Sequence, residues 1–184
     1  MRCQRCLQPI CICAAIPAIA TRTRVVVLRH FSETNRSSNS GRLAHLALPN
    51  SEMIDHGVPH APIDAAQLAQ PGTWLVFPEG EPWHAAPSPP PARIIVLDAT
   101  WAQARRMRQR APGLRGLPVL RLPDAEAPAA RLRAAPAPGL VSTIEAIARA
   151  LRLLEGEAPA RALEQLFTIV VDQARALGRP LPPG

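Results

Sequence analysis

Residues 93–101 read Arg-Ile-Ile-Val-Leu-Asp-Ala-Thr-Trp, and this stretch decides the fold. Residues 93–97 form a β-branched, apolar run without polar alternation, the mark of a central strand buried on both faces of a parallel sheet. The run stops at Asp98. Thr100 can cap a helix over residues 100–110, which Pro112-Gly113 brings to an end. Asp98 therefore stands at the carboxyl end of a strand, where open α/β sheets bind their ligands.

The same grammar extends in both directions. Residues 23–29 (TRVVVLR), 53–54, 73–77 (TWLVF, closed by Pro78) and 118–122 (PVLRL) read as strands. Residues 41–48, 141–154 and 158–177 carry apolar positions at helical spacing. Residues 85–91 are proline-rich and read as an exposed extended loop. Strands followed by helices predict an α/β fold, a mostly parallel open sheet with helices on both faces. At 184 residues the chain is long enough to bury a core without disulfide staples.

Charge is informative in its distribution. The chain has no lysine, which excludes Schiff-base and P-loop lysine chemistry. A GC-rich coding sequence accounts for arginine in place of lysine, but not for segregation of charge. Residues 1–50 carry seven Arg against Glu33 alone; residues 51–92 carry five acids and no Arg; residues 93–184 carry fourteen Arg against eight acids. Two basic segments around an acidic one point to a polyanionic partner, nucleic acid first. With three Trp, three Phe and no Tyr, a binder built on many stacking rings is disfavoured.

All four cysteines fall within eleven residues, as Cys3-x2-Cys6-x4-Cys11-x1-Cys13. Four thiolates suit a closed, structural, tetrahedral zinc site over residues 1–20, with a redox pair or unpaired thiols as alternatives. Arg2 and Arg5 before an apolar run ending Ala18-Ile19-Ala20 imitate a secretory signal, yet the cysteines and Gln8-Pro9 interrupt it. No stretch reaches a membrane span, and the cytoplasm, where thiols stay reduced, is the expected compartment.

Three constellations carry chemistry. His30 and Glu33 follow the first strand, with Arg36, Ser38, Asn39, Gly41 and Arg42 behind them; a solvated loop with a helix cap is the plain alternative. Asp98-Ala99-Thr100-Trp101 follows the central strand; a lone carboxylate there wants a partner or a substrate, and Trp101 either packs or stacks on a base. The arginines of the next helix, Arg105 and Arg106 among them, either face solvent or contact phosphates. Ser142-Thr143-Ile144-Glu145 has capping-box spacing, and a helix start with free N–H groups also holds carboxylates.

Taken together these motifs resemble the DTW-domain family. The D-x-T-W motif is Asp98-Ala99-Thr100-Trp101, preceded by C-x2-C…C-x-C with Ile16-Pro17, by His30 with Glu33, and by Phe77-Pro78. Arg131-Leu132-Arg133 and then Leu140, Ser142, Thr143, Glu145 and Ala146 follow in order. The match runs from Cys3 to about Leu154.

The resemblance implies a tRNA-uridine aminocarboxypropyltransferase. Such enzymes move the 3-amino-3-carboxypropyl group of S-adenosylmethionine to N3 of a uridine, in the variable loop for bacterial members, and release 5′-methylthioadenosine. It implies a SPOUT-like catalytic domain over residues 21–184 with a C-terminal trefoil knot. Asp98 is then the expected base or uracil-orienting group, with His30 and Glu33 next. The expected cofactor site comprises Leu75, Phe77, Pro78, Glu79, Thr100, Trp101, Leu122, Pro123, Leu140, Ser142 and Thr143. Arg36, Arg42, Arg105, Arg106, Arg131 and Arg133 are the expected RNA contacts, and Cys3, Cys6, Cys11 and Cys13 the zinc ligands. The partner is tRNA, without a membrane or an obligate protein partner, in a monomer or homodimer. The rivals are a SPOUT-type RNA methyltransferase, a non-catalytic zinc-knuckle RNA binder, and a transferase acting on rRNA.

Overall fold

The computed structural model describes residues 2–124, 132 and 141–178. Five strands run β1 (Arg24–His30), β2 (Ser51–His56), β3 (Thr73–Val76), β4 (Arg93–Asp98) and β5 (Val119–Leu120). Every pairing is parallel, and the spatial order is β2-β1-β4-β3-β5. β4 is the middle strand and all six of its residues are buried, as its apolar run predicts.

Helices α1 (Ser40–Ala47), α2 (Ala65–Leu68), α3 (Trp101–Arg110), α4 (Thr143–Glu155) and α5 (Glu157–Ala176) cover both faces of the sheet. Side-chain alternation divides the core accordingly. Val25, Val27, Ile94 and Val96 pack with Leu43 of α1, Ile144, Ile147 and Leu151 of α4, and Leu163, Phe167 and Val170 of α5. Val26, Leu28, Ile95 and Leu97 pack on the other side with Leu68 of α2 and Ala104 and Met107 of α3.

Two strands differ from the sequence expectation. β2 has six residues rather than two, because an edge strand paired on one side buries only Ile54 and tolerates Ser51, Glu52, Asp55 and His56. β5 shrinks to two residues. Pro118 has no N–H to give, and only its carbonyl joins the ladder, accepting from Leu75 N at 2.9 Å. The single turn of α2 has no helical period to read; Asp64 caps it by accepting from Ala66 N at 3.0 Å.

The cysteine segment lies against the main core. Cys6, Ile12 and Ile19 join the cluster of α1, α4 and α5, and Ile19 N donates to Ala47 O at 2.8 Å. The knot expectation rests on the path of residues 125–140, nearly all of which lie outside the described residues. Among the described residues no helix is long and apolar enough to cross a membrane.

Candidate functional site

Asp98 ends the central strand, and three elements converge on it. It is 4% exposed. Asn39 Nδ2 donates to its Oδ2 at 2.6 Å and Thr143 Oγ1 donates to its Oδ1 at 2.8 Å. Asn39 is also the N-cap of α1, its Oδ1 accepting from Arg42 N at 2.6 Å. Ser40 Oγ accepts from Ile144 N at 3.3 Å, which ties the starts of α1 and α4 to each other as well as to the strand. Gly41 lies so close that a β-carbon there would stand 2.6 Å from Asp98 Cγ.

Burial pushes the Asp98 carboxyl above the usual carboxylate range, and the hydrogen bonds from Thr143 and Asn39 offset part of that. The negative charge of Glu33 adds to the rise and the positive charge of Arg29 opposes it. Both donors are uncharged, so among the described residues nothing in direct contact neutralises the carboxylate.

Asp98 opens onto a cavity of roughly 630 Å³ at the carboxyl ends of β3 and β4. A volume of this size is typical of small-molecule sites. Of the expected cofactor residues, Phe77, Pro78, Thr100, Trp101, Leu122, Pro123, Ser142 and Thr143 line it. Leu75 does not: its side chain is enclosed among Leu28, Leu68 and Ile95 on the α2–α3 side. Glu79 also lies elsewhere, where it accepts from Arg108 Nε at 3.1 Å. Leu140 lies outside the described residues. Sequence reasoning had no signal for Arg149 and Phe167, which reach the cavity from α4 and α5.

His30 and Asp98 share a sheet end but not a face. Alternation puts Asp98 with Ile94 and Val96 beside α1 and α4, and His30 with Val26 and Leu28 beside α3. His30 Nδ1 lies 2.8 Å from Ser32 Oγ and 3.3 Å from Nε2 of Gln103. Gln103 closes the capping box of α3 with Thr100, so His30 bears on the D-x-T-W turn through that amide. Glu33 is on the Asp98 side and 1% exposed. Arg36 Nε stands 3.3 Å from its Oε1, and its backbone carbonyl accepts from the same Asn39 Nδ2 that holds Asp98.

The expected RNA contacts separate into two kinds. Arg105 and Arg106 are exposed on α3, and Arg105 lines the cavity mouth. Arg42 instead braces the cysteine segment: its Nε donates to Arg5 O at 2.8 Å and its Nη2 to Gln4 O at 3.2 Å. Arg131 and Arg133 lie outside the described residues.

The four cysteine sulfurs lie within 4.8 Å of one another. Cys3 Sγ stands 3.5 Å from Cys11 Sγ and 3.7 Å from Cys13 Sγ. A zinc–thiolate tetrahedron with bonds of about 2.3 Å has edges near 3.8 Å, so the donor set fits that ion. Backbone N–H groups of Cys6 and Arg5 hold the Cys3 thiol down to about 6, while burial raises that of Cys13 to about 12. Gln8 Nε2 donates to Ser37 O at 2.7 Å, fastening the knuckle to the loop that carries Asn39.

Comparison with known proteins adds to this geometry. The family model described as DTW domain matches residues 1–175. The chain is 28% identical over 171 residues to tRNA-uridine aminocarboxypropyltransferase 2 of Drosophila melanogaster, covering 84% of this chain and 66% of the fly protein. It is 29% identical over 222 aligned positions to tRNA-uridine aminocarboxypropyltransferase A of Arabidopsis thaliana, covering 98% of this chain and 82% of the plant protein. The chain thus spans just under two thirds of the length of the fly relative. No solved structure matches it.

Proposed function

The chain belongs to the DTW-domain family, and on that premise we propose that it transfers the 3-amino-3-carboxypropyl group of S-adenosylmethionine to N3 of a tRNA uridine. Curated relatives along most of its length are named for aminocarboxypropyl transfer to tRNA uridine. The observation that carries the reading is Asp98, held by two neutral donors at the wall of a largely apolar cavity.

The cavity suits such a donor. Trp101, Phe77, Pro78, Leu122 and Pro123 supply flat and apolar surface for an adenosine, and Ser142 and Thr143 supply polar contacts at the start of α4. When bound, S-adenosylmethionine offers a sulfonium whose aminocarboxypropyl carbon is electrophilic. The N3–carbon bond forms as the sulfur–carbon bond breaks, and its electron pair stays on sulfur in 5′-methylthioadenosine. The N3 proton must leave, and in this reading Asp98 takes it or polarises it by accepting its hydrogen bond. The raised carboxyl is a better proton acceptor than an ordinary aspartate.

The other residues act by position. Asn39 and Thr143 fix the Asp98 carboxylate, and Glu33 fixes Asn39 through its backbone carbonyl. His30 steadies the turn after Asp98 through Gln103. Regiochemistry is set by which of the three carbons on sulfur is held in line with N3, a task for the cavity walls. Cys3, Cys6, Cys11 and Cys13 would hold a structural zinc ion, and Arg36, Arg105 and Arg106 face the tRNA phosphates.

Labelled donor tests this reading. The protein is incubated with unmodified tRNA and S-adenosylmethionine carrying label in either the methyl or the carboxyl carbon. Carboxyl label is expected in the RNA. Methyl label there instead would make the protein a methyltransferase, and transfer of neither would leave an RNA-binding protein without this activity.

A further inference from the structure

Given the transfer proposed above, we infer that Arg149 binds the α-carboxylate of the sulfonium donor and thereby sets which of its carbons faces the acceptor. α4 turns one face to the cavity. Ser142, Thr143, Ala146 and Arg149 line it, at the spacing of one helical stripe. Thr143 holds Asp98, so the reacting end lies at the first turn. Ala146 is small and leaves room beside it. Arg149 follows six residues after Thr143, about 9 Å along the axis at 1.5 Å per residue. Helical side chains lean toward the N-terminus of their helix, and the Arg149 guanidinium reaches the carbonyl of Pro123 at the cavity lining.

Arg149 is a cation held for an anion. It is half-buried in a cavity lining that also holds Leu122, Leu132, Ala146 and Phe167, together with Arg121 and Asp124. Among the described residues its one hydrogen bond is from Nη2 to the carbonyl of Pro123, and none of their carboxylates lies within ion-pair distance. Glu145 and Asp124 act on it only at longer range, and Arg152 opposes them. Glu145 Oε2 is already taken by Ser142 N at 2.7 Å. Burial lowers its proton affinity, the sign of a charge whose solvation is incomplete.

The other cavity arginines are less suited. Arg105 is exposed on α3. Arg121 donates to Gly80 O at 2.7 Å and has Asp124 at 3.7 Å. A planar guanidinium with free N–H groups matches a carboxylate in two-point fashion. Anchoring that carboxylate fixes the aminocarboxypropyl arm along α4 and presents its terminal carbon, rather than the methyl, at Asp98.

The test is titration calorimetry with two ligands. 5′-Methylthioadenosine keeps the adenosine, sulfur and methyl of the donor, but its sulfur is a neutral thioether and it lacks the aminocarboxypropyl arm with its carboxylate. R149M is expected to weaken S-adenosylmethionine binding by roughly 10- to 100-fold, the loss of a charge-assisted pair, and to leave 5′-methylthioadenosine within about twofold. R149K, which keeps the charge without the fork, should fall between R149M and the parent protein. Retained 5′-methylthioadenosine binding also shows that the cavity is folded. The inference is overturned if R149M binds both ligands as the parent does, or loses both equally. It is also overturned if R149M loses only tRNA affinity, which would make Arg149 a phosphate contact. Failure of the parent protein to bind S-adenosylmethionine at all would instead undo the transfer reading.

Discussion

Thr143 reaches across 45 residues of chain to donate to Asp98 at 2.8 Å, joining the first turn of α4 to the end of the central strand. Asn39 does the same from α1 at 2.6 Å. The carboxylate is thus the point where two helix starts and a strand end meet, and its chemistry and the local packing are the same set of contacts.

That arrangement separates activity from stability at Asp98. Its folded-state pKa is raised above the unfolded value. Such a group favours folding below the ordinary carboxylate range, and the contribution is lost as pH rises through the raised value. Asn in its place removes the buried charge. Its Oδ1 can accept from Asn39 while its Nδ2 donates to the Thr143 hydroxyl. D98N is expected to melt a few degrees higher at pH 7 while transfer falls by about 10²- to 10⁴-fold. Calorimetric melting and a single-turnover assay check the two halves. A lower melting temperature with full turnover would remove Asp98 from its role.

N39D poses the opposite problem. It keeps the α1 cap, since Asp also accepts from Arg42 N, but it sets a second carboxylate 2.6 Å from Asp98. Two carboxylates that close must share a proton. N39D should therefore be destabilised at pH 7.5 and recover as pH falls toward 5, reversing the usual acid weakening of carboxylate-dependent folds. Melting temperature against pH for N39D and its parent gives the comparison, and parallel curves would show that the two side chains are not in contact.

Gly41 predicts how closely the helix must approach. A β-carbon would meet Asp98 Cγ at 2.6 Å, with both carboxylate oxygens within 2.9 Å. G41A is expected to cost about 1–3 kcal/mol, as overpacked sites do. Because the clash is with one side chain, G41A should cost much less in a D98A background. A double-mutant cycle by urea unfolding measures this, and additive costs would place the strain elsewhere.

The inner strands β1, β4 and β3 and the Asp98 end of the sheet were legible because a buried parallel strand is written as an uninterrupted apolar run, here 93–97. Thr100 and Ser142 were legible as helix starts for the same local reason. Asn39 offered only its cap role, since the contact to Asp98 depends on α1 crossing the end of β4, a tertiary fact. The split between His30 and Asp98 was hidden in register: Arg29, not His30, pairs with Asp98, so the two side chains leave opposite faces. Arg42 read as a free charge because nothing local shows that carbonyls of Gln4 and Arg5 sit against it.

Arg42 connects the cysteine knuckle to the same loop. R42Q removes both donors to the knuckle backbone and leaves the four thiols in place. The zinc-loaded protein should then lose its metal to a competing chelator several-fold faster than the parent, with Gln8→Ala adding to the effect because it holds Ser37 O. Zinc release followed with a chromogenic chelator reads this directly. Equal release rates would mean that the thiolates alone define the site.

The exposed arginines of α3 carry the last prediction. Arg105 and Arg106 are exposed, and among the described residues they have no ion-pair partner. If they meet phosphates, each releases a counterion on binding, and log affinity for tRNA falls linearly with log salt. The double variant R105Q/R106Q should bind more weakly at low salt and lose roughly 1.4–1.8 from the magnitude of that slope, from about 0.7–0.9 per phosphate contact. Binding of S-adenosylmethionine should be unchanged within about twofold in R106Q alone, since Arg106 does not line the cavity. Filter-binding or fluorescence titration across salt concentrations supplies the slope. An unchanged slope would return both arginines to the solvated surface and move the tRNA to another face of the molecule.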